Sequence, residues 1–246
     1  MSVARRLSRK LASHWPLGLA DFPLERSIVS FTFDDFPRSA FTQGGPILAR
    51  YGARATYYAS GCFYERTIDG LDYYTAQDAL DAGRAGHEIA HHTFSHPHAP
   101  DLGARALLED CARNDVFLSG LGLRPSGHFA FPYGDADLGA RRLLKTRYLT
   151  CRGTQAGLNG ARMDAGLLKA VSLERRVWAP GHAGHWIGQL AQRPAWLIFY
   201  THDISDSPSL YGSTPAQLEE ALDLARTAGC DILPVGEVFG RIRGTA

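Results

Sequence analysis

The strongest constraint on this chain's fold is an alternation of short apolar runs, rich in aromatic and β-branched residues, with stretches of helical periodicity, sustained along 246 residues. Residues 27–33 read as a buried strand, 46–51 as a helix ended by Gly52, and 54–60 as a second strand. The pattern then predicts a helix over 75–85 stopped by Gly86, a short strand at 87–91, and the longest helix at 102–118. That helix has Leu107, Leu108, Cys111 and Val116 near one face and Arg105, Glu109 and Arg113 on another. Further strands are expected at 129–131, 148–151, 168–173 and 196–200. A helix capped by Thr214, with Pro215 in its first turn, and a last strand at 232–235 complete the series. Such alternation argues for an α/β fold with a parallel sheet and helices outside it. Seven or eight strands favour a closed or nearly closed barrel over an open sheet, as a single domain over residues 26–246.

In barrels of this kind the chemistry gathers in the loops after the carboxyl ends of the strands. Asp34 and Asp35 end the first strand, His92 and His96 follow the third, Tyr133 follows the 129–131 strand, and His202 follows 196–200. Histidines at i and i+4 lie on one face of a helical turn, so both imidazoles can converge on one ion. Asp35 is the expected third ligand, with a position left open for water, and the neighbouring Asp34 is the expected base. An Asp-Asp pair alone is more often a helix cap or turn, and HxxxH alone often arises by accident; their joint occurrence at strand ends reverses those odds. Two imidazoles and one carboxylate suit one divalent metal, Zn2+ first, with Co2+, Ni2+, Mn2+ or Fe2+ able to occupy the same open site.

Composition narrows the classes. Apolar residues at 45% and charged residues at 21% suit a globular protein with a substantial core, and a formal charge of +1 carries no signature of a nucleic-acid binder. Cys62, Cys111, Cys151 and Cys230 are widely separated, form no CxxC pair, and read as reduced core residues. Residues 1–25 form a basic, helix-compatible segment in which Val3, Leu7 and Leu11 recur every four residues among Arg5, Arg6, Arg9 and Lys10. Residues 1–20 are therefore a candidate for weak contact with an anionic membrane surface. Neither a signal peptide nor a transmembrane run is apparent, so the expected location is the cytoplasm, peripheral to the inner face of the membrane.

Four stretches in order, Thr32-Phe33-Asp34-Asp35, His92-Thr93-Phe94-Ser95-His96, Phe131-Pro132-Tyr133-Gly134 and Leu197-Ile198-Phe199-Tyr200-Thr201-His202-Asp203, resemble the polysaccharide deacetylase superfamily, the carbohydrate esterases that include chitin and peptidoglycan deacetylases. The resemblance runs from about residue 28 to 235 and implies a distorted barrel of seven or eight strands, one divalent metal, and removal of acetyl groups from N-acetylated sugars. It implies Asp34 as general base, Asp35, His92 and His96 as metal ligands, Tyr133 as a backbone N–H donor to the oxyanion, and His202 as general acid. The substrate would be an N-acetylated oligo- or polysaccharide, such as an exopolysaccharide or cell-envelope precursor. Alternatives are hydrolysis of another small amide or cyclic imide, and a non-catalytic carbohydrate-binding assembly subunit. One position departs from the family pattern: Ala130 stands where an arginine commonly orients the catalytic carboxylate. Arg152, in Cys151-Arg152-Gly153 after the next strand, is the expected replacement, and Asp164 the expected partner of His202.

Other residues compete for these roles. His87, His91 and His98 flank the ligands but fall outside the expected set, and His182 and His185 read as the start of a surface helix. Tyr57, Tyr58, Phe63, Tyr64, Tyr73 and Tyr74 form an aromatic-rich region divided between core packing and sugar contact. Trp186 is open to either role, and Trp196 reads as core. Cys62 has no adjacent base and is not expected to be a nucleophile.

Overall fold

A computed structural model describes residue 12, residues 15–21 and residues 24–243. Its elements in chain order are β1 (Leu19–Asp21), β2 (Ile28–Asp34), α1 (Arg38–Thr42), α2 (Gly44–Arg50), β3 (Thr56–Ala59), β4 (Thr67–Ile68), β5 (Leu71–Asp72), α3 (Ala76–Arg84), β6 (Glu88–His91) and α4 (Ala104–Gly120). There follow β7 (His128–Ala130), α5 (Leu138–Lys145), β8 (Thr150–Arg152), β9 (Arg162–Asp164), β10 (Val171–Ser172), α6 (His182–Gly188), β11 (Trp196–Thr201), α7 (Pro215–Thr227), β12 (Asp231–Ile232) and α8 (Val235–Arg243).

Eight strands form one parallel sheet in the order β10-β11-β2-β3-β6-β7-β8, with β12 also on β2. β11 pairs along one edge of β2 from Ile28 to Phe33, while β12 takes the start of the other edge and β3 its end. All seven residues of β2 are buried, as a parallel strand covered on both faces requires. The ladder continues past β8. Cys151 donates to the Ala165 carbonyl and accepts from the Leu168 N–H, Gly153 donates to Leu168, and this segment runs into β10. The result is the expected distorted α/β barrel, with the irregular stretch 165–168 bridging its two ends.

Alternation along the strands sorts the core. Val29, Phe31 and Phe33 of β2, Tyr57 of β3 and Phe199 of β11 face the helices and pack with Leu48, Leu118, Leu218 and Leu222. The other face of β11 packs Trp196, Ile198 and Tyr200 against Val235, Val238 and Phe239 of α8. Higher in the barrel the lining becomes small or polar, with Ala90 and Ala130 beside Tyr58, and this leaves room for charged side chains at the strand ends. Capping boxes at Thr75 with Asp78 and at Thr214 with Gln217 start α3 and α7 where the sequence places them.

Two expectations require correction, and a third lies largely outside the described residues. The run at 232–235 is strand only at Asp231–Ile232, because Pro234 has no N–H to continue a ladder. Val235 instead opens α8, whose first N–H groups are met by Thr56 Oγ1 at 2.9 Å and Glu88 Oε2 at 3.0 Å. On α4, Val116 is exposed and the buried stripe is Leu107, Cys111, Asn114 and Leu118. Asn114 belongs there because its amide accepts from the Gly61 N–H at 3.0 Å and donates to the Ala59 carbonyl at 2.9 Å, tying α4 to the end of β3. Finally, the helix expected within residues 1–25 falls largely outside the described residues, as does most of the membrane-surface candidate 1–20. Leu19–Asp21, which is described, is a strand antiparallel to β9. Among the described residues no helix is long and apolar enough to cross a membrane.

Candidate active site

The site is built where β2 ends. Asp34 is its last residue, and Asp35 and Phe36 then adopt left-handed conformations, φ 63° and 59°. Backbone of this kind costs on the order of 1–3 kcal/mol per non-glycine residue and persists only where packing imposes it. Here Phe36 is locked between Tyr57 and Tyr74, with ring centroids 4.6 and 5.0 Å away.

His92 and His96 do converge, but not on a helical turn. Thr93 (φ 63°) and His96 (φ 53°) are left-handed, which excludes continuous helix, and the segment is a loop leaving β6. The Asp110 carboxylate of α4 holds it by accepting from the N–H groups of Phe94 (2.8 Å) and Ser95 (3.1 Å) and from the Ser95 hydroxyl (2.6 Å). His92 Nδ1 lies 2.8 Å from the Ala130 carbonyl, so this nitrogen is the donor and Nε2 keeps its lone pair.

The His92 and His96 Nε2 atoms lie 3.3 and 3.1 Å from Asp35 Oδ1, a buried oxygen with no hydrogen-bond partner. These three residues are the one group among the described residues whose donor atoms come together as a candidate cation site. Burial by itself would raise the Asp35 carboxyl, but the His92 and His96 imidazoles and the charge of His202 outweigh it and hold the group well below the usual range. Burial pushes His96 the other way, toward the neutral ring, against the pull of Asp35. An ionised carboxylate and neutral imidazoles are the forms that bind a divalent cation, so the residues fit one.

Asp34 is paired with Arg152. The guanidinium binds Asp34 Oδ1 through Nη2 and is fully buried between the rings of Tyr58 and Tyr200, 5.0 and 5.3 Å from their centroids. In the ladder Arg152 of β8 is the residue opposite Ala130 of β7. The cation absent from one strand is thus supplied by its neighbour.

His202 lies across the cleft, with Nε2 3.8 Å from Asp35 Oδ2. Its partner is not Asp164. That carboxylate belongs to β9, where it binds the buried Arg141 and accepts from the N–H groups of Leu17 (3.2 Å) and Gly18 (2.9 Å). The residue beside His202 is Glu174, buried, with Oε1 3.4 Å from Nδ1. Glu174 directly follows the strand expected at 168–173, and a carboxylate at that strand end is the signal that could have identified it.

Tyr133 has φ 58° and its exposed ring stacks on His98, 4.1 Å between centroids. His98 pairs with Asp135, His87 packs against Phe41 and Tyr57, and His182 opens α6 with its Nε2 on the Ser172 carbonyl. Tyr57, Tyr58 and Tyr74 are core, whereas Phe63 and Tyr73 stack at 4.6 Å and line the cleft. Trp196 is fully buried, and all four cysteines are free. Burial pushes the Cys62 thiol up to about 11, which keeps it protonated. The cleft encloses about 610 Å³ and contains Asp34, Asp35, His92, His96, Tyr133 and His202.

A parallel barrel thus gathers an Asp-His-His donor set, a buried Asp-Arg pair and a His-Glu pair around one cleft. The chain belongs to the polysaccharide deacetylase family, whose model matches residues 23–150, just over half its length. Asp34, Asp35, His92, His96, Ala130 and Tyr133 lie inside the matched region, and Arg152, Glu174 and His202 beyond it. No curated protein sequence matches the chain.

Solved structures share the fold. Peptidoglycan deacetylase PdaC from Bacillus subtilis superposes with a TM-score of 0.57 at 17% identity, covering 89% of this chain and 93% of that one. A peptidoglycan N-acetylglucosamine deacetylase gives 0.63 at 18% identity over 89% and 91%. A mutant with restored enzymatic activity of a family 4 carbohydrate esterase pseudoenzyme gives 0.60 at 11% identity over 92% and 72%.

Proposed function

We propose that this protein hydrolyses the acetamide of N-acetylated amino sugars in an oligo- or polysaccharide precursor, releasing acetate. The observation that carries the reading is the buried Asp34–Arg152 pair beside the Asp35, His92 and His96 donor set. A divalent metal held by those three residues, zinc by the character of the donors, would polarise the acetamide carbonyl and acidify the attacking water. Asp34 would take the proton from the attacking water, and Arg152 holds the carboxylate in position. The Tyr133 N–H donates to the oxygen on which negative charge develops, a contribution of roughly 3 kcal/mol where such donors have been removed in other enzymes. His202 hands a proton to the departing amine, with its Nδ1 turned toward the Tyr211 carbonyl at 3.2 Å and Glu174 Oε1 at 3.4 Å, which together orient the ring.

Binding a sugar without turning it over needs neither a buried Asp-Arg pair nor a His-Glu pair, so the complete set supports catalysis over a scaffold role. The test is acetate release from N-acetylglucosamine oligomers by the purified protein, followed by chelation and restoration of zinc. Loss and recovery of release support the reading. Release that ignores chelation overturns it, as does turnover confined to other small amides or cyclic imides.

A further inference from the structure

Arg176 stands two residues beyond Glu174, in the same wall of the cleft, and it is the only lysine or arginine among the described residues that line this cleft. Its backbone N–H donates to the Leu210 carbonyl at 3.1 Å, and its guanidinium lies over the Tyr211 ring, 4.9 Å from the centroid. Among the described residues only its Nε is committed to the protein, donating to Glu174 Oε2 at 2.7 Å. Glu174 does not need a second bond from Arg176. Its Oε2 also accepts from the Ser172 hydroxyl at 2.8 Å, and its Oε1 faces His202. The two terminal nitrogens of Arg176, four N–H donors in a planar fork, therefore remain for something in the cleft.

A planar guanidinium fork of this kind, open to the cleft, matches a carboxylate or a phosphate.

Building on the deacetylase reading, we propose that Arg176 is a specificity-determining residue that binds an acidic group of the glycan, a carboxylate or phosphate carried on or next to the sugar being deacetylated. The cleft thus selects acidic glycans over neutral ones of the same length.

The test compares a neutral N-acetylglucosamine trimer with the same trimer bearing a C6 carboxylate or a C6 phosphate, by calorimetric binding and by acetate release, on the metal-loaded protein and on Arg176→Gln. Glutamine keeps an N–H for Glu174 while removing the charged fork. The wild-type protein should favour an acidic trimer about tenfold, and Arg176→Gln should bring that ratio close to one. The acidic trimer with the larger ratio identifies the group recognised. A wild-type ratio of one overturns the proposal, as does a ratio that survives in Arg176→Gln, which would leave Arg176 only a support for Glu174. Should no trimer release acetate, the deacetylase reading fails, while the calorimetric ratio still decides the role of Arg176.

Discussion

Arg152 stands directly across the β7–β8 ladder from Ala130 and binds the Asp34 carboxylate from there. A charge delivered from the adjacent strand reaches the same carboxylate, so the relation is open to a transplant. Arg152→Ala should lower acetate release at least about 100-fold, the scale of a lost general base, while zinc affinity changes only a few-fold. It should also destabilise the fold by roughly 3–5 kcal/mol, because Asp34 is left buried without its cation. The double variant Ala130→Arg/Arg152→Ala should recover part of both losses. Unchanged turnover in Arg152→Ala, measured on a fraction shown to be folded by circular dichroism, would refute the role.

Glu174 and His202 make a separable prediction, because a general acid matters only when the leaving group is poor. His202→Ala should cost about 100-fold or more on an N-acetyl sugar and much less on an aryl acetate, whose phenolate departs without a proton. Glu174→Gln should follow the same pattern at about tenfold. Equal losses on both substrates would mean that the pair shapes the cleft and does not protonate the amine.

Much of this site is legible in the sequence because Asp34, Asp35, His92 and His202 stand at the ends of apolar strands, with His96 four residues beyond His92. Arg152 is legible for a chemical reason: a buried catalytic carboxylate requires a cation, and Ala130 cannot be one. The loop at 92–96 is not legible, since Thr93 and His96 adopt left-handed backbone that neither residue type advertises, and HxxxH spacing reads as helix by default. Glu174 was within reach too, directly after the strand expected at 168–173, although β10 itself has only two residues. The start of α8 was hidden. Residues 232–235 read as strand, and the Thr56 and Glu88 side chains that receive the helix lie far away in sequence.

If Asp35, His92 and His96 bind a cation, the folded chain should be stabilised by it. Zinc at about 100 times its dissociation constant adds roughly 2.7 kcal/mol, which for a chain of this size raises Tm by about 5–10 °C. Differential scanning calorimetry with zinc against chelator reads this directly. Asp35→Asn and His96→Ala should each remove most of the shift, whereas His182→Ala should keep it. A full shift in the double variant Asp35→Asn/His96→Ala would place the metal elsewhere.

His87 predicts how stability depends on pH. Its Nδ1 accepts the Ala55 N–H at 3.0 Å, a bond only the neutral ring can receive, and burial, helped by Arg54, pushes the imidazole down to about 4. In the unfolded chain the same ring titrates near 6.5. Between those values the unfolded chain takes up a proton that the folded chain refuses, so acid favours unfolding. The stabilisation from a neutral His87 is complete above about pH 6.5 and is lost as pH falls toward about 4. From pH 7 to pH 5 this residue should cost about 2 kcal/mol of unfolding free energy. His87→Asn places an amide oxygen where Nδ1 was and cannot titrate. It should therefore lower stability at pH 7, through lost packing on Phe41 and Tyr57, yet flatten the decline toward pH 5 in urea titrations. An equally steep decline in that variant would assign the acid sensitivity to other groups.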